Sequence, residues 1–277
     1  MKIAVMGDLH FPSAQGVSRP LESEVLVARD AFFDHFLTKF FAIESDLYVS
    51  VGDLTNCGLQ DEFVEVFSLI DSHQKKFKLA LGNHDLYTHT RQDVLKIIDE
   101  TVNVAFEKEG IVFAFLETAR EQRPDRWDGT LSLEQLAWLE QVVIESGDKT
   151  LVVIAHHPPY NTTAKSNHHY SSIEPAIDLW SILEQKQGKG IYVCGHVHTD
   201  SIVHHQQWTF VQIAAVLDSE TVRVMDIQGD TLSIQSVDVS TEASRVQAQL
   251  LGENLEYFGL SPLGVGTPLL QATTVRW

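Results

Sequence analysis

Cysteine is scarce: Cys57 and Cys194 are the only two in 277 residues, too few for a disulfide framework and suited to a reducing compartment. Each sits beside a polar motif described below, and each reads as a small buried thiol rather than a ligand. Positive charge is scarce as well. Twenty Lys and Arg against 38 Asp and Glu leave a formal charge of −18, which repels nucleic-acid backbones and anionic headgroups at long range. No nucleic-acid partner and no membrane partner are therefore expected. Bound cations would reverse that sign locally, so a small anionic substrate stays compatible. No apolar run approaches the length of a membrane span. The apolar run that starts after Lys2 leaves no room for the charged and apolar regions of a secretory signal, so a cytoplasmic protein is expected. Internal repeats and low-complexity tracts are absent too. What is present is apolar residue content of 44%, enough for a large core.

The apolar residues are grouped in a telling way. Phe77-Lys78-Leu79-Ala80-Leu81 reads as a buried strand and is followed, after Gly82, by Asn83, His84 and Asp85: an amide, an imidazole and a carboxylate in a row. The same design recurs. Ile3-Ala4-Val5-Met6 precedes Gly7-Asp8-Leu9-His10, and Leu47-Tyr48-Val49-Ser50-Val51 precedes Gly52-Asp53. Leu151-Val152-Val153-Ile154-Ala155 precedes His156-His157, and Ile191-Tyr192-Val193-Cys194 precedes Gly195-His196-Val197-His198. In open α/β sheets ligands gather outside the carboxyl ends of the strands, so these runs are expected to share one edge and deliver Asp8, His10, Asp53, Asn83, His156, His196 and His198 to one place. Imidazole and carboxylate donors suit first-row ions such as Mn, Fe, Zn, Ni or Co, and the set is too large for a single ion. Glycines before Asp8, Asp53, Asn83 and His196 fit tight turns that bring the backbone close to the ions.

The ordered set Asp8-x-His10, Gly52-Asp53-x-x-Asn56, Gly82-Asn83-His84-Asp85, His156 and Gly195-His196-x-His198 resembles the signature of the calcineurin-like metallophosphoesterases. Gly52-Asp53-Leu54-Thr55-Asn56-Cys57-Gly58 and His156-His157-Pro158-Pro159 are most similar to the cyclic-nucleotide and glycerophosphodiester phosphodiesterase branch. The resemblance implies an α/β fold, two mixed β-sheets packed as a sandwich flanked by helices. It implies two metal ions, one held by Asp8, His10 and His198, the other by Asn83, His156 and His196, with Asp53 bridging. His156 rather than His157 takes the ligand role, because the family's ligand sits two residues before the proline, here Pro158. His84 resembles the family's imidazole that faces substrate without binding metal, and Asp85 is placed to orient it. Asn56 either fixes the bridging loop or reaches the phosphate.

Two ions separated by about 3.5 to 4 Å activate a water and clamp the attacking and leaving oxygens of a displacement at phosphorus. The expected activity is hydrolysis of small phosphate esters, with diesters such as cyclic nucleotides or glycerophosphodiesters favoured because no arginine lies inside the motifs. A phosphomonoesterase or protein serine/threonine phosphatase is the alternative within that chemistry. A non-catalytic interaction scaffold is the alternative outside it.

Helices are expected over 22–43, 60–74, 91–101, from Ser132 onward, and over 174–187, each from its apolar stripe. Arg120, Arg123 and Arg126 beside Trp127 read either as a solvated loop or as a lip for an anion. The long loop from His157 to Ile173 carries His168 and His169, which either contact substrate or stay exposed, and offers Tyr160 and Tyr170 with Phe11 as a surface for an organic group. Strands are expected at Trp208–Ala214, Thr221–Ile227 and Thr231–Val237, the last two joined at Gly229-Asp230. The core is placed at 1–239. Residues 240–277 form a C-terminal appendage, whose Leu260, Leu263, Val265, Leu269 and Leu270 need cover from the core or from a second subunit of a homo-oligomer.

Overall fold

The apolar runs are strands, but they divide between two sheets. In a computed structural model, which describes residues 1–261, 264 and 272–276, the chain begins β1 (Lys2–Met6), α1 (Ser23–Ala42), β2 (Leu47–Ser50), α2 (Gln60–Ser72) and β3 (Phe77–Leu79). A single 3-10 turn at His84–Leu86 and α3 (Arg91–Ile98) lead to β4 (Val104–Lys108), β5 (Ile111–Leu116), α4 (Leu133–Glu145) and β6 (Thr150–Ala155). Then come α5 (Trp180–Leu183), β7 (Gly190–Cys194), β8 (Ser201–His205), β9 (Trp208–Gln212), β10 (Thr221–Gln228), β11 (Thr231–Asp238), α6 (Glu242–Asn254) and β12 (Thr273–Arg276).

One six-stranded sheet has the order β12-β11-β10-β1-β2-β3 and the other β4-β5-β6-β7-β9-β8. Within them β1, β2 and β3 are parallel, as are β5, β6, β7 and β9, while the remaining pairs are antiparallel. Side chains alternate along a strand, so a strand that is apolar throughout must face two apolar layers. Ile3 and Val5 of β1 meet Val152, Ile154 and Val193 between the sheets. Ala4 and Met6 point the other way, onto Phe32, Phe36 and Phe63 of α1 and α2. On the far side Leu151 and Val153 of β6 pack with Leu139 and Val143 of α4. Each buried Val, Ile, Leu or Phe contributes about 1.5–3 kcal/mol, and the result is helices, sheet, sheet, helices.

The expected helices at α1, α2, α3 and α4 are present, and α4 opens with a capping box in which Ser132 Oγ accepts from Gln135 N at 3.2 Å and Gln135 Oε1 accepts from Ser132 N at 3.0 Å. The helix expected over 174–187 shrinks to Trp180–Leu183. Pro175 follows Glu174, whose carboxylate is held by Arg120 and Arg126 and whose amide donates to Gly129 O, so this stretch is committed to turns. Strands β4, β8 and β12 are not signalled by the sequence: each is the edge of its sheet and only partly buried, so its apolar alternation is weak. Beyond residue 240, α6 packs on α1 and β12 extends the first sheet. Leu260 fills the space over Gly252; Leu263, Val265, Leu269 and Leu270 lie outside the described residues. No helix among the described residues is long and apolar enough to cross a membrane.

Candidate metal centre

Three strand ends of the first sheet and two of the second meet, so the shared edge expected from one sheet is a junction between two. Asp8 and His10 follow β1, Asp53 follows β2, Asn83 and His84 follow β3, His156 follows β6, and His196 and His198 follow β7. The loops are sewn together by backbone. Leu9 N and His10 N both donate to Asp53 O at 2.9 Å, and Phe11 N donates to Leu54 O at 3.0 Å. This forces left-handed backbone at His10 (φ 52°) and Asp53 (φ 46°), and the same is seen at His196 (φ 69°) and His198 (φ 51°). Such conformations are uncommon outside glycine and are held here by surrounding contacts. The glycines make room for the Asp53 and Asp8 carboxylates. A Cβ on Gly82 would stand 2.1 Å from Asp53 Oδ1, and one on Gly195 would stand 2.0 Å from Asp8 Oδ1.

The donor atoms face one another. His10 Nε2 and His198 Nε2 are 3.1 Å apart, His198 Nε2 is 3.3 Å from Asp8 Oδ2, and His156 Nε2 is 3.2 Å from Asp53 Oδ2 and 3.1 Å from Asn83 Oδ1. His196 Nδ1 is also 3.1 Å from Asn83 Oδ1. Which atom each ring presents is decided by what binds the other atom. Val51 O accepts from His156 Nδ1 at 3.0 Å, and Tyr170 O accepts from His196 Nε2 at 2.8 Å. Asn83 Nδ2 donates to the Tyr87 hydroxyl at 2.7 Å, which turns its Oδ1 inward.

Asp8 Oδ1 and His10 Nδ1 are buried without a hydrogen-bond partner among the described residues. Converging lone pairs, fully buried carboxylates and an orphaned oxygen fit cations between these side chains. The donor set is nitrogen and oxygen with no thiolate; Cys57 and Cys194 are buried elsewhere, as expected.

The titrating groups are pulled apart. Burial lowers His10, with the His84 ring pushing the same way, and burial with His156 lowers His196 to about 3. Burial also opposes charge on His156 and His198, yet Asp53 raises the first to about 9, while Asp218 and Asp8 raise the second to about 10. Asp53 is held well below the usual carboxylate range, because His156 and His84 outweigh the burial that opposes its ionisation.

His84 stands at the edge of this cluster. Asn56 O accepts from His84 Nδ1 at 2.7 Å, leaving Nε2 on the side of a pocket of about 260 Å³ lined also by Tyr87, Pro124, Trp127 and Tyr257. Asp85 does not orient that ring. Its carboxylate accepts from Thr55 N and Thr55 Oγ1 at 2.8 Å, Gly82 N at 2.9 Å and Leu54 N at 3.3 Å, tying the loop after β2 to the loop after β3. The Asn56 amide likewise turns away from the pocket, its Nδ2 donating to Glu256 O at 2.8 Å. His157 points into the protein, between Thr118 Oγ1 and Trp127 O.

His168 and His169 are exposed and do not line the pocket, and Phe11 is buried against Phe33. The loop 157–173 reaches the cluster through the Tyr170 carbonyl instead. The arginine lip is also set aside: Arg120 and Arg126 both pair with Asp128 and Glu174, and Arg123 pairs with Asp125. Asp218, Tyr87, Tyr257 and Phe258 were missed. Tyr87 could have been found, since a 3-10 turn starting at His84 places the third residue on beside it; the others carry no motif.

The model of the calcineurin-like phosphoesterase family matches residues 1–200. The chain is 23% identical over 178 residues to the glycerophosphodiester phosphodiesterase GpdQ of Enterobacter lignolyticus, covering 62% of this chain and 63% of that protein. It is 40% identical over 80 residues to the 3',5'-cyclic adenosine monophosphate phosphodiesterase CpdA of Vibrio vulnificus, 28% of either chain. Both matches span less than two thirds of the relative's length. Among solved structures, a dimetal phosphatase from Danio rerio superposes with a TM-score of 0.68 at 12% identity, over 87% of this chain and 96% of that one, a likeness of fold. With its first 200 residues matched and the strand-end histidines, aspartates and asparagine in the order described, the chain belongs to the calcineurin-like phosphoesterase family.

Proposed function

We propose that this chain is a metal-dependent hydrolase of phosphate esters that prefers small phosphodiesters. The observation that carries the reading is the convergence of donor atoms from Asp8, His10, Asp53, Asn83, His156, His196 and His198 beside a pocket that His84 also lines. Asp8, His10 and His198 would hold one ion and Asn83, His156 and His196 the other. Asp53 is shared: its Oδ2 lies 3.2 Å from His156 Nε2 and 3.9 Å from His10 Nε2, one from each set. The bound ions would supply Lewis acidity, lowering the pKa of a water towards neutrality and neutralising charge at phosphorus.

The protein's own groups do the rest. Because the Asn56 carbonyl fixes one proton on His84 Nδ1, Nε2 is the atom left to face the pocket; in the imidazolium form it donates to a phosphoryl oxygen or hands its proton to the leaving oxygen. Asp53 Oδ1 accepts from His84 N at 2.8 Å, so the imidazole and the shared carboxylate are held in one register. Tyr87 and Trp127 wall the pocket with aromatic rings.

The preference for diesters follows from charge. A monoester dianion needs more fixed positive charge than a diester monoanion. Among the described residues lining the pocket there is no lysine or arginine, and the nearby guanidinium groups of Arg120 and Arg126 are already neutralised. The two relatives, a glycerophosphodiester phosphodiesterase and a 3',5'-cyclic adenosine monophosphate phosphodiesterase, are both named for diesters, which supports the same choice. The test is kcat/KM for a bis-aryl and a mono-aryl phosphate with the Mn-loaded protein. A monoester advantage overturns the diester preference; no hydrolysis of either ester by protein carrying its metal overturns the enzyme in favour of a binding scaffold.

A further inference from the structure

Residues 255–261 lie beyond the part of the chain that matches the family and cross the mouth of the site. They are tied down on every side. Glu256 O accepts from Asn56 Nδ2 at 2.8 Å, and the Glu256 carboxylate accepts from Val17 N at 2.9 Å and Ser18 N at 3.0 Å. At the other end Ser261 N donates to Asp218 Oδ1 at 2.5 Å, while Leu260 rests on Gly252 of α6. The second oxygen of Asp218 stands 3.4 Å from His198 Nδ1, so one carboxylate holds both this segment and a metal-ligand ring.

Between the anchors two aromatic residues diverge. The Phe258 ring lies 4.8 Å from His10 and 5.2 Å from His198, closing that side of the cluster. Tyr257 has φ 59°, a conformation uncommon for a bulky side chain. It lines the pocket 6.0 Å from Tyr87, with 59% of its surface exposed. A large aromatic held in a strained conformation, unburied, at the mouth of a site has no packing role that accounts for it.

We propose that residues 255–261 are the specificity wall of this site, with Tyr257 presenting its ring to a planar aromatic or heteroaromatic group carried by the phosphate ester. The proposal rests on the phosphoesterase reading and narrows it. The phosphoryl group lies against the ligand side of the pocket, and Tyr87, Trp127 and Tyr257 surround its organic substituent. Because its backbone is anchored at both ends, the wall is preorganised and adds selectivity without an ordering cost.

The test is calorimetric binding of unhydrolysable phosphonates to the Mn-loaded chain of 277 residues. Methylphosphonate reads the anion site alone, and phenylphosphonate adds a ring. Tyr257→Ala is expected to lower the phenyl-to-methyl affinity ratio by roughly 3- to 10-fold, and Tyr257→Phe to keep it. Metal content, measured by elemental analysis, stays that of the parent in both. An unchanged ratio in Tyr257→Ala overturns the wall, and so does a selective loss for 2-(trimethylammonio)ethylphosphonate, which would make the aromatics a cage for a cation. If the parent binds no phosphonate at all, the phosphoesterase reading falls with it; binding that is indifferent to Tyr257 sinks the wall alone.

Discussion

Gly82→Ala adds one methyl group and takes away no polar side chain, yet it should displace the site and cost most of its turnover. The new Cβ would stand 2.1 Å from Asp53 Oδ1, 2.3 Å from Asp53 N and 2.7 Å from Asp53 Cγ, where real Cβ contacts stop near 3.0 Å. A rotamer change of Asp53 relieves the first and third contacts but not the second, which is backbone. The loops after β2 and β3 must therefore part by about 0.7 Å at the amide. They are joined through the Asp85 carboxylate, which bonds Gly82 N on one side and Leu54 N and Thr55 N on the other, so parting them strains those bonds too. Overpacking of this kind costs roughly 1–3 kcal/mol of stability, and a displacement approaching 1 Å at a reacting centre costs on the order of 100-fold in rate. The assay has two arms: metal per chain by elemental analysis, and turnover of a bis-aryl phosphate at saturating Mn. Wild-type metal content with wild-type turnover would refute the account of Gly82 and, with it, the central position given to Asp53.

Asp53→Asn should abolish both stable metal binding and turnover, read by the same two arms, since its carboxylate lies within about 4 Å of the His10, His156 and His84 rings, reaching both proposed ligand sets and the pocket imidazole. His84→Ala should keep its metal and lose about 10²- to 10⁴-fold in turnover, less with an aryl leaving group that needs little protonation; loss of an ion would make His84 a ligand. Asp85→Ala should cost roughly 2–4 kcal/mol in denaturant unfolding, because it strands buried donors on two loops. Arg120→Ala should change kcat/KM for a diester by less than about threefold, as its charge is already paired; a loss confined to KM would restore the anion lip.

The gathering of imidazoles and carboxylates was legible because its information is local. A run such as Leu151–Ala155 must be buried on both faces, and a His placed directly after it can only emerge at the strand's end, whatever sheet the strand joins. The helix start at Ser132 and the hairpin at Gly229 are equally local, each settled within four residues. The helix expected at 174–187 failed for the opposite reason: its apolar spacing was real, but Glu174 is claimed by Arg120 and Arg126 from some fifty residues away.

Residue types and their order along the chain therefore determined the chemistry available: imidazoles, carboxylates and an amide at strand ends. Tertiary structure decided which atom of each does what. Asn56 gives its carbonyl, not its amide, to His84; Asp85 braces loops instead of the ring; and Tyr170, not His168 or His169, bonds His196. It also brought Asp218, Tyr257 and Phe258 to the site from the chain's last quarter, where no motif marks them. Hydrogen bonds are directional and short-ranged, and those that orient this site join residues far apart in sequence, Asn56 and Glu256 being 200 apart. A local pattern can place a side chain at an edge, but its partner exists only once the chain has folded.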